Sequence, residues 1–174
     1  MTPRARLRRL VTDRRGMTIV EIMVAIGIIA VGLAALSSAI PIAAYGIQEG
    51  NQLSTATFLA NQRLEQVRNA TWSTETVVDN LGISASSTAA PVGDGGATTF
   101  PDEPPWALDE AQWAGYTRTV RITNCGVAPG CSGIVDAGIR QVTVTVSYRP
   151  MTGIGVAAAA TTKSAIVSMY VAKR

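Results

Sequence analysis

At 174 residues the chain is about one domain's worth, and 47% hydrophobic residues with a mean hydropathy of +0.23 exclude wholesale disorder. The formal charge is +3, yet six arginines fall in residues 1–16 against Asp13 alone, so residues 17–174 hold nine basic and eleven acidic side chains and carry −2. Without the first sixteen residues, a general electrostatic attraction to nucleic acid or acidic lipid disappears. Histidine is absent, which excludes His-based catalytic triads and His-ligated metal sites, and the two cysteines are too few for a four-thiolate centre.

From Ile22 to Ile47 run 26 consecutive residues without a charge, and an α-helix needs only about 20 to cross the hydrocarbon core. The arginines ahead of this span fit a cytoplasmic flank by the bias that keeps positive charge inside. A cleaved secretory signal is the plainer alternative, with a small-x-small site at Ser37, Ser38 and Ala39, but an apolar region there runs to about 7–15 residues. Arg14 and Arg15 ahead of Met17 and Ile19 have some likeness to a twin-arginine export signal, although Glu21 falls where the apolar core of such a signal begins.

Glu21 stands among Met17, Ile19, Val20, Ile22 and Met23, and a carboxylate at membrane depth costs several kcal/mol unless it is partnered or near the interface. A cut after Gly16 gives Met17 an ammonium group four residues before Glu21, on the same helical face. That ammonium opposes the dipole at its own helix N-terminus, and a carboxylate in the first turn offsets this. The same pairing is available between two subunits.

Arg15, Gly16, apolar Met17, Thr18, Ile19, Val20 and Glu21, followed by a helix rich in Ala, Ile, Val, Gly and Leu, resemble the N-terminus of type IV prepilins and secretion-system pseudopilins. The close resemblance covers residues 14–45. It implies that a membrane prepilin peptidase cuts between Gly16 and Met17 and methylates the new amine of Met17, and that Glu21 docks against a neighbour's amine. It further implies other pilin or pseudopilin subunits, an inner-membrane assembly platform and membrane lipid as partners. Met17 stands where phenylalanine is commonest, and sixteen residues make a rather long leader.

Pro41 removes one helical hydrogen bond and crowds the carbonyl of Ser37, which predicts a kink in the helix. Leu53, Thr57, Ala60, Leu64 and Val67 recur at four- and three-residue steps, so the spacing predicts that the helix continues to about Ala70 with one apolar stripe. Arg63, Glu65 and Arg68 fall off that stripe and read as a solvated surface.

Residues 73–115 turn to Ser, Thr, Gly, Ala and Pro and read as loop with one short helix at most, anchored on the sheet by Trp106 and Trp113. Its acids Asp94, Asp102, Glu103, Asp109 and Glu110 lack EF-hand spacing, so no metal site is expected. After Gly115 the period becomes two. Val142, Val144, Val146 and Tyr148 predict a half-buried strand, Tyr116 to Thr123 a second with Val120 and Ile122 inward, and Ala165 to Ala172 a third through Val167, Met169 and Val171. Cys125 and Cys131 bracket a Gly-Val-Ala-Pro-Gly turn between the first two strands. They read as a local disulfide of an extracytoplasmic domain, with two small buried thiols as the alternative. Arg118, Arg121, Arg140 and Arg149 read as a solvated sheet face; without aromatic interleaving or a charge excess, nucleic-acid binding is not expected.

The fold class that follows is α+β and pilin-like, a long N-terminal helix packed on a small antiparallel sheet. Its parts are a cleaved basic leader over 1–16, a helix over 17–72 with a transmembrane part at about 22–47, and an extracytoplasmic domain over 73–174, divided into a loop region at 73–115 and a sheet at 116–174. No nucleophile–base pair, phosphate loop or paired carboxylates stand in a recognisable setting, so neither an enzyme nor a cofactor is expected. Two readings compete with a filament subunit: an uncleaved, membrane-anchored binding module, and an exported soluble protein.

Overall fold

The computed structural model describes residues 17–73, 78–105, 113–150 and 162–174. Gly16, Trp106, Asp109 and Glu110 lie outside the described residues. The chain divides into two compact units, Met1–Ala44 and Tyr45–Arg174. Helix α1 spans Ile19–Arg68 and contributes to both, and its Pro41 lies within the first unit.

In the second unit, three long strands, β3 (Tyr116–Asn124), β4 (Ile139–Tyr148) and β5 (Lys163–Ala172), form an antiparallel sheet in that order. The register sets Val120 opposite Val144 and Val144 opposite Val167, so like apolar residues stack across all three strands. Alternation dictates the burial: Val120, Ile122, Val142, Val144 and Val146 are fully buried, while Thr117, Thr119, Thr143 and Thr145 face outward.

The residues of α1 after Tyr45 cover this inner face with Ala56, Leu59, Ala60, Leu64 and Val67. Small Ala56 and Ala60 let the backbone approach closely, and each buried Leu or Val contributes about 1.5–3 kcal/mol. Leu53, placed on the stripe by its spacing, is instead 48% exposed, and the first buried residue of α1 is Ala56.

Two further short strands, β1 (Ile83–Ser84) and β2 (Pro91–Val92), pair antiparallel within the segment that reads as loop from its composition. A 3-10 turn, Asp94–Gly96, follows. Strands of two residues leave no period to detect. Gly82 precedes β1 at φ +73°, where a Cβ would lie 2.7 Å from the backbone of Val92, so the turn requires glycine. Trp113 packs on the core, edge-on to Tyr116, with ring centroids 6.5 Å apart.

The arginines correct the solvated-face reading. Arg118 and Arg140 sit at inward positions of β3 and β4 and are only 6% and 5% exposed. Arg140 donates from Nη1 and Nη2 to the two carboxylate oxygens of Asp79 at 2.6 and 2.7 Å, and its guanidinium lies 4.0 Å from the centre of the Trp72 ring. Arg118 donates to Glu103 at 2.5 Å and to the carbonyl of Leu59 at 3.1 Å. The second oxygen of Glu103 meets Arg63 at 3.1 Å, so Arg63 too is largely withdrawn from water. A buried charge survives only when paired, and each inward arginine has a carboxylate from the connecting segment.

Burial opposes ionisation of Asp79, but hydrogen bonds from Arg140 and from the backbone of Gly82, with the charge of Arg140, hold its carboxyl below the usual range. A depressed folded value contributes stability that is present above the unfolded value of about 3.9 and is lost as pH falls through the lower folded one. Asp79→Asn should therefore cost about 3 kcal/mol at neutral pH, the low end for breaking a buried pair because Asp79 is 23% exposed. It should also flatten the loss of stability below about pH 4. Chemical denaturation from pH 2 to 7 measures both, and an unchanged acid limb would mean that Asp79 is not the group responsible.

The structure joins Cys125 and Cys131, six positions apart, at the β3–β4 connection, with Cys125 2% exposed. Closing so short a loop removes about 2 kcal/mol of unfolded-chain entropy. Replacing both cysteines by serine should lower stability by about that amount and leave the three-stranded sheet in place; near-UV and far-UV circular dichroism of the variant distinguish a local loss from a global one.

Candidate anchoring and processing segment

Helix α1 begins where its sequence provides a cap. The backbone N–H of Glu21 donates to Oγ1 of Thr18 at 3.2 Å, and the N–H of Ile22 donates to the carbonyl of Thr18 at 3.2 Å. Thr18 is thus the N-cap and Glu21 the third helical residue, the Thr-x-x-Glu spacing of a capping box. The sequence reading had missed this role of Thr18, although that spacing is its signal. Glu21 consequently lies in the first turn, where a carboxylate favours the positive end of the helix dipole.

Beyond the cap, the first unit is apolar on every side. Ile19, Met23, Ile28, Val31, Leu36, Ile40 and Ile42 are each between 60% and 78% exposed. The most apolar 18-residue window has a mean hydropathy of 2.6 and no residue buried within the protein, so this helix is long and apolar enough to cross a membrane. The helix of a soluble core would turn one apolar face to its own protein and a polar face to water. Here every face needs cover from lipid or from other helices.

The two serine hydroxyls inside this segment are satisfied internally. Ser37 and Ser38 donate their hydroxyls to the carbonyls of Leu33 and Ala35 at 2.9 and 2.8 Å. Such back-bonding suits a segment without water, where an unpaired hydroxyl is costly. Ser37 stands four residues before Pro41, at the turn where the proline ring crowds the backbone. Gly27, Gly32, Gly46 and Gly50 have open space where a Cβ would stand, so none is held by close contact within this chain.

The sequence-derived residues therefore separate into two places. Met17 precedes the cap of α1, Glu21 and Pro41 lie on its first part, and Cys125 and Cys131 lie at the β3–β4 turn of the second unit. Among the described residues no group of three or more metal-ligating side chains occurs, and Asp94, Asp102 and Glu103 are engaged otherwise. Asp94 accepts from the backbone N–H of Asp79, Asp102 pairs with Arg121 at 2.6 Å, and Glu103 joins Arg63 to Arg118. The hydrogen bonds from Arg121 to Asp102 outweigh its partial burial and raise its basicity further. Arg121 also donates to the carbonyls of Ser87 and Thr88, so the cleft beside the disulfide turn meets a guanidinium already saturated.

No curated protein and no solved structure matches the chain. Residues 12–37 match the family model of the prokaryotic N-terminal methylation motif. The matched stretch contains the cap at Thr18, Glu21 and the start of the unburied apolar helix, and with that helix it fits a type IV pilin-like protein.

Proposed function

We propose that the chain is a structural subunit, a minor pilin or pseudopilin, of a type IV pilus-like or type II secretion-like filament. In this reading residues 1–16 are a cytoplasmic leader that a prepilin peptidase removes after Gly16, methylating Met17. The apolar part of α1 then holds the subunit in the inner membrane, single-pass, with the second unit outside the cytoplasm. On assembly the same helix moves from lipid to the helices of neighbouring subunits. Proline at position 41 supplies a bend in that helix.

The observation that carries the reading is the union of a methylation motif over residues 12–37 with a helix that buries none of its apolar window in its own protein. Lipid covers such a surface in the subunit, and other subunits cover it in a filament. Cutting after Gly16 strips the basic leader and places an amine one helical turn before Glu21. Within a low-dielectric helix bundle that carboxylate needs a cation, and a neighbour's Met17 amine is the same chemistry supplied from another chain. The disulfide supports an extracytoplasmic second unit.

Three experiments test this. Intact-mass analysis of membrane-extracted protein should give a chain starting at Met17 with one added methyl group. A Met1 terminus would favour an uncleaved anchor, and a soluble chain starting near Ile40 would favour ordinary secretion. Glu21→Ala should insert normally and reduce filament incorporation at least tenfold, about 1.4 kcal/mol or more of docking energy; normal incorporation removes the docking role. Gly16→Leu should block maturation, and unimpeded processing of that variant counts against the cut.

A further inference from the structure

The two edges of the three-stranded sheet differ. On the β3 side, Glu103 bridges to Arg118 through backbone bonds of 2.8 and 2.9 Å, and the N–H of Ile122 donates to Ser84 at 3.1 Å. On the β5 side, among the described residues, no strand or loop pairs with the outward backbone groups between Lys163 and Ala172. Ser164 to Ala172 contain no charge, proline or glycine. They thus lack the charges and proline that protect many edge strands from pairing.

The side chains of β5 are also incompletely covered. On its outer face Ile166 and Tyr170 are 63% and 50% exposed, and on its inner face Val167, Met169 and Val171 are only partly buried, whereas Val144 and Val142, opposite the first two, are fully buried. The core thins toward an edge that offers hydrogen bonds and apolar contact together.

We propose that the β5 edge receives, as an added antiparallel strand, an extended and uncharged segment of another polypeptide that begins with an acidic residue beside Lys173. Lys173 is exposed and, among the described residues, has no carboxylate partner, whereas Lys163 at the other end is already paired with Glu49 of α1. An antiparallel strand with an acid at its start places that acid next to Lys173, leaves the centre apolar and continues the pairing already present in the sheet.

A second copy of this chain does not fit this edge. Antiparallel β5–β5 pairing with inner faces on the same side requires rotation by 180° about the sheet normal. That rotation sets Lys173 of one copy at the Lys163 end of the other, and residues 163–172 contain no acid to meet it. Head-to-tail addition would need the β3 edge, which is covered. The proposal stands on the sheet edge and holds whether or not the leader is cut.

The test uses the full chain in detergent and a synthetic peptide, Asp-Thr-Val-Thr-Val-Thr-Val-Thr-Val, with two isomers N-methylated at opposite alternate positions. Binding is read by fluorescence anisotropy. The parent peptide should bind, one isomer should lose at least tenfold in affinity and the other should keep it. Replacing the leading Asp by Lys should weaken binding about threefold or more. Ile166→Asp should weaken it at least tenfold, and Val135→Ser, at a position 92% exposed on the β3–β4 connection, should leave it unchanged. Near-UV circular dichroism verifies that Ile166→Asp is folded. Equal affinity of the two isomers, no binding of the parent peptide, or loss of binding in the Val135 variant would each overturn the proposal. So would a chain that dimerises in detergent and becomes monomeric with Ile166→Asp, which would assign the edge to a second copy.

Discussion

Arg118 stands where helix, connecting segment and sheet meet. Its guanidinium reaches the carbonyl of Leu59 on α1, the carboxylate of Glu103 and, at 3.2 Å, the side chain of Gln62, all from an inward position of β3. A positive charge in that place is tolerable only if Glu103 stays with it, and Glu103 in turn holds Arg63. Three elements are thereby fixed by one requirement, that a buried cation keep its anion. Arg140 imposes the same condition farther along the sheet, where Asp79 and the Trp72 ring hold the beginning of the connecting segment against β4.

These two arginines explain how a segment rich in Ser, Thr, Gly and Pro keeps its place on the domain. It has few apolar side chains to bury, so polar links do what packing does elsewhere. Asp79 also accepts from the N–H of Gly82 at 2.8 Å, and Asp94 accepts from the N–H of Asp79, tying successive turns together. The links are directional, which favours one arrangement of the segment over many, as apolar contact alone would not.

The two units meet opposite demands. In the second, α1 turns a stripe of Ala, Leu and Val to the sheet and the rest to water. In the first, it is apolar all round and buries nothing within the chain. One continuous helical sequence passes between these regimes near Tyr45, where the patterning changes from apolar on every side to a single apolar stripe.

The sequence by itself determined whatever depends on periodicity and local chemistry. The unbroken apolar run, the alternation of Val142, Val144 and Val146, the inward Val120 and Ile122, and the helical stripe through Ala60, Leu64 and Val67 are legible because burial repeats with the period of the element. The cap at Thr18 has a local signal too, its spacing from Glu21, but it is the hydrogen bond in the structure that reveals it. Only the tertiary structure decided the places of Arg63, Arg118 and Arg140, because a charge at an inward position violates the pattern and becomes tolerable through an anion 15 to 61 positions away in sequence. The pairing of β1 with β2 was decided there too, since two-residue strands carry no period. So was the contrast between a covered β3 edge and a β5 edge left open among the described residues, because an edge is defined by its neighbours and not by the residues that form it.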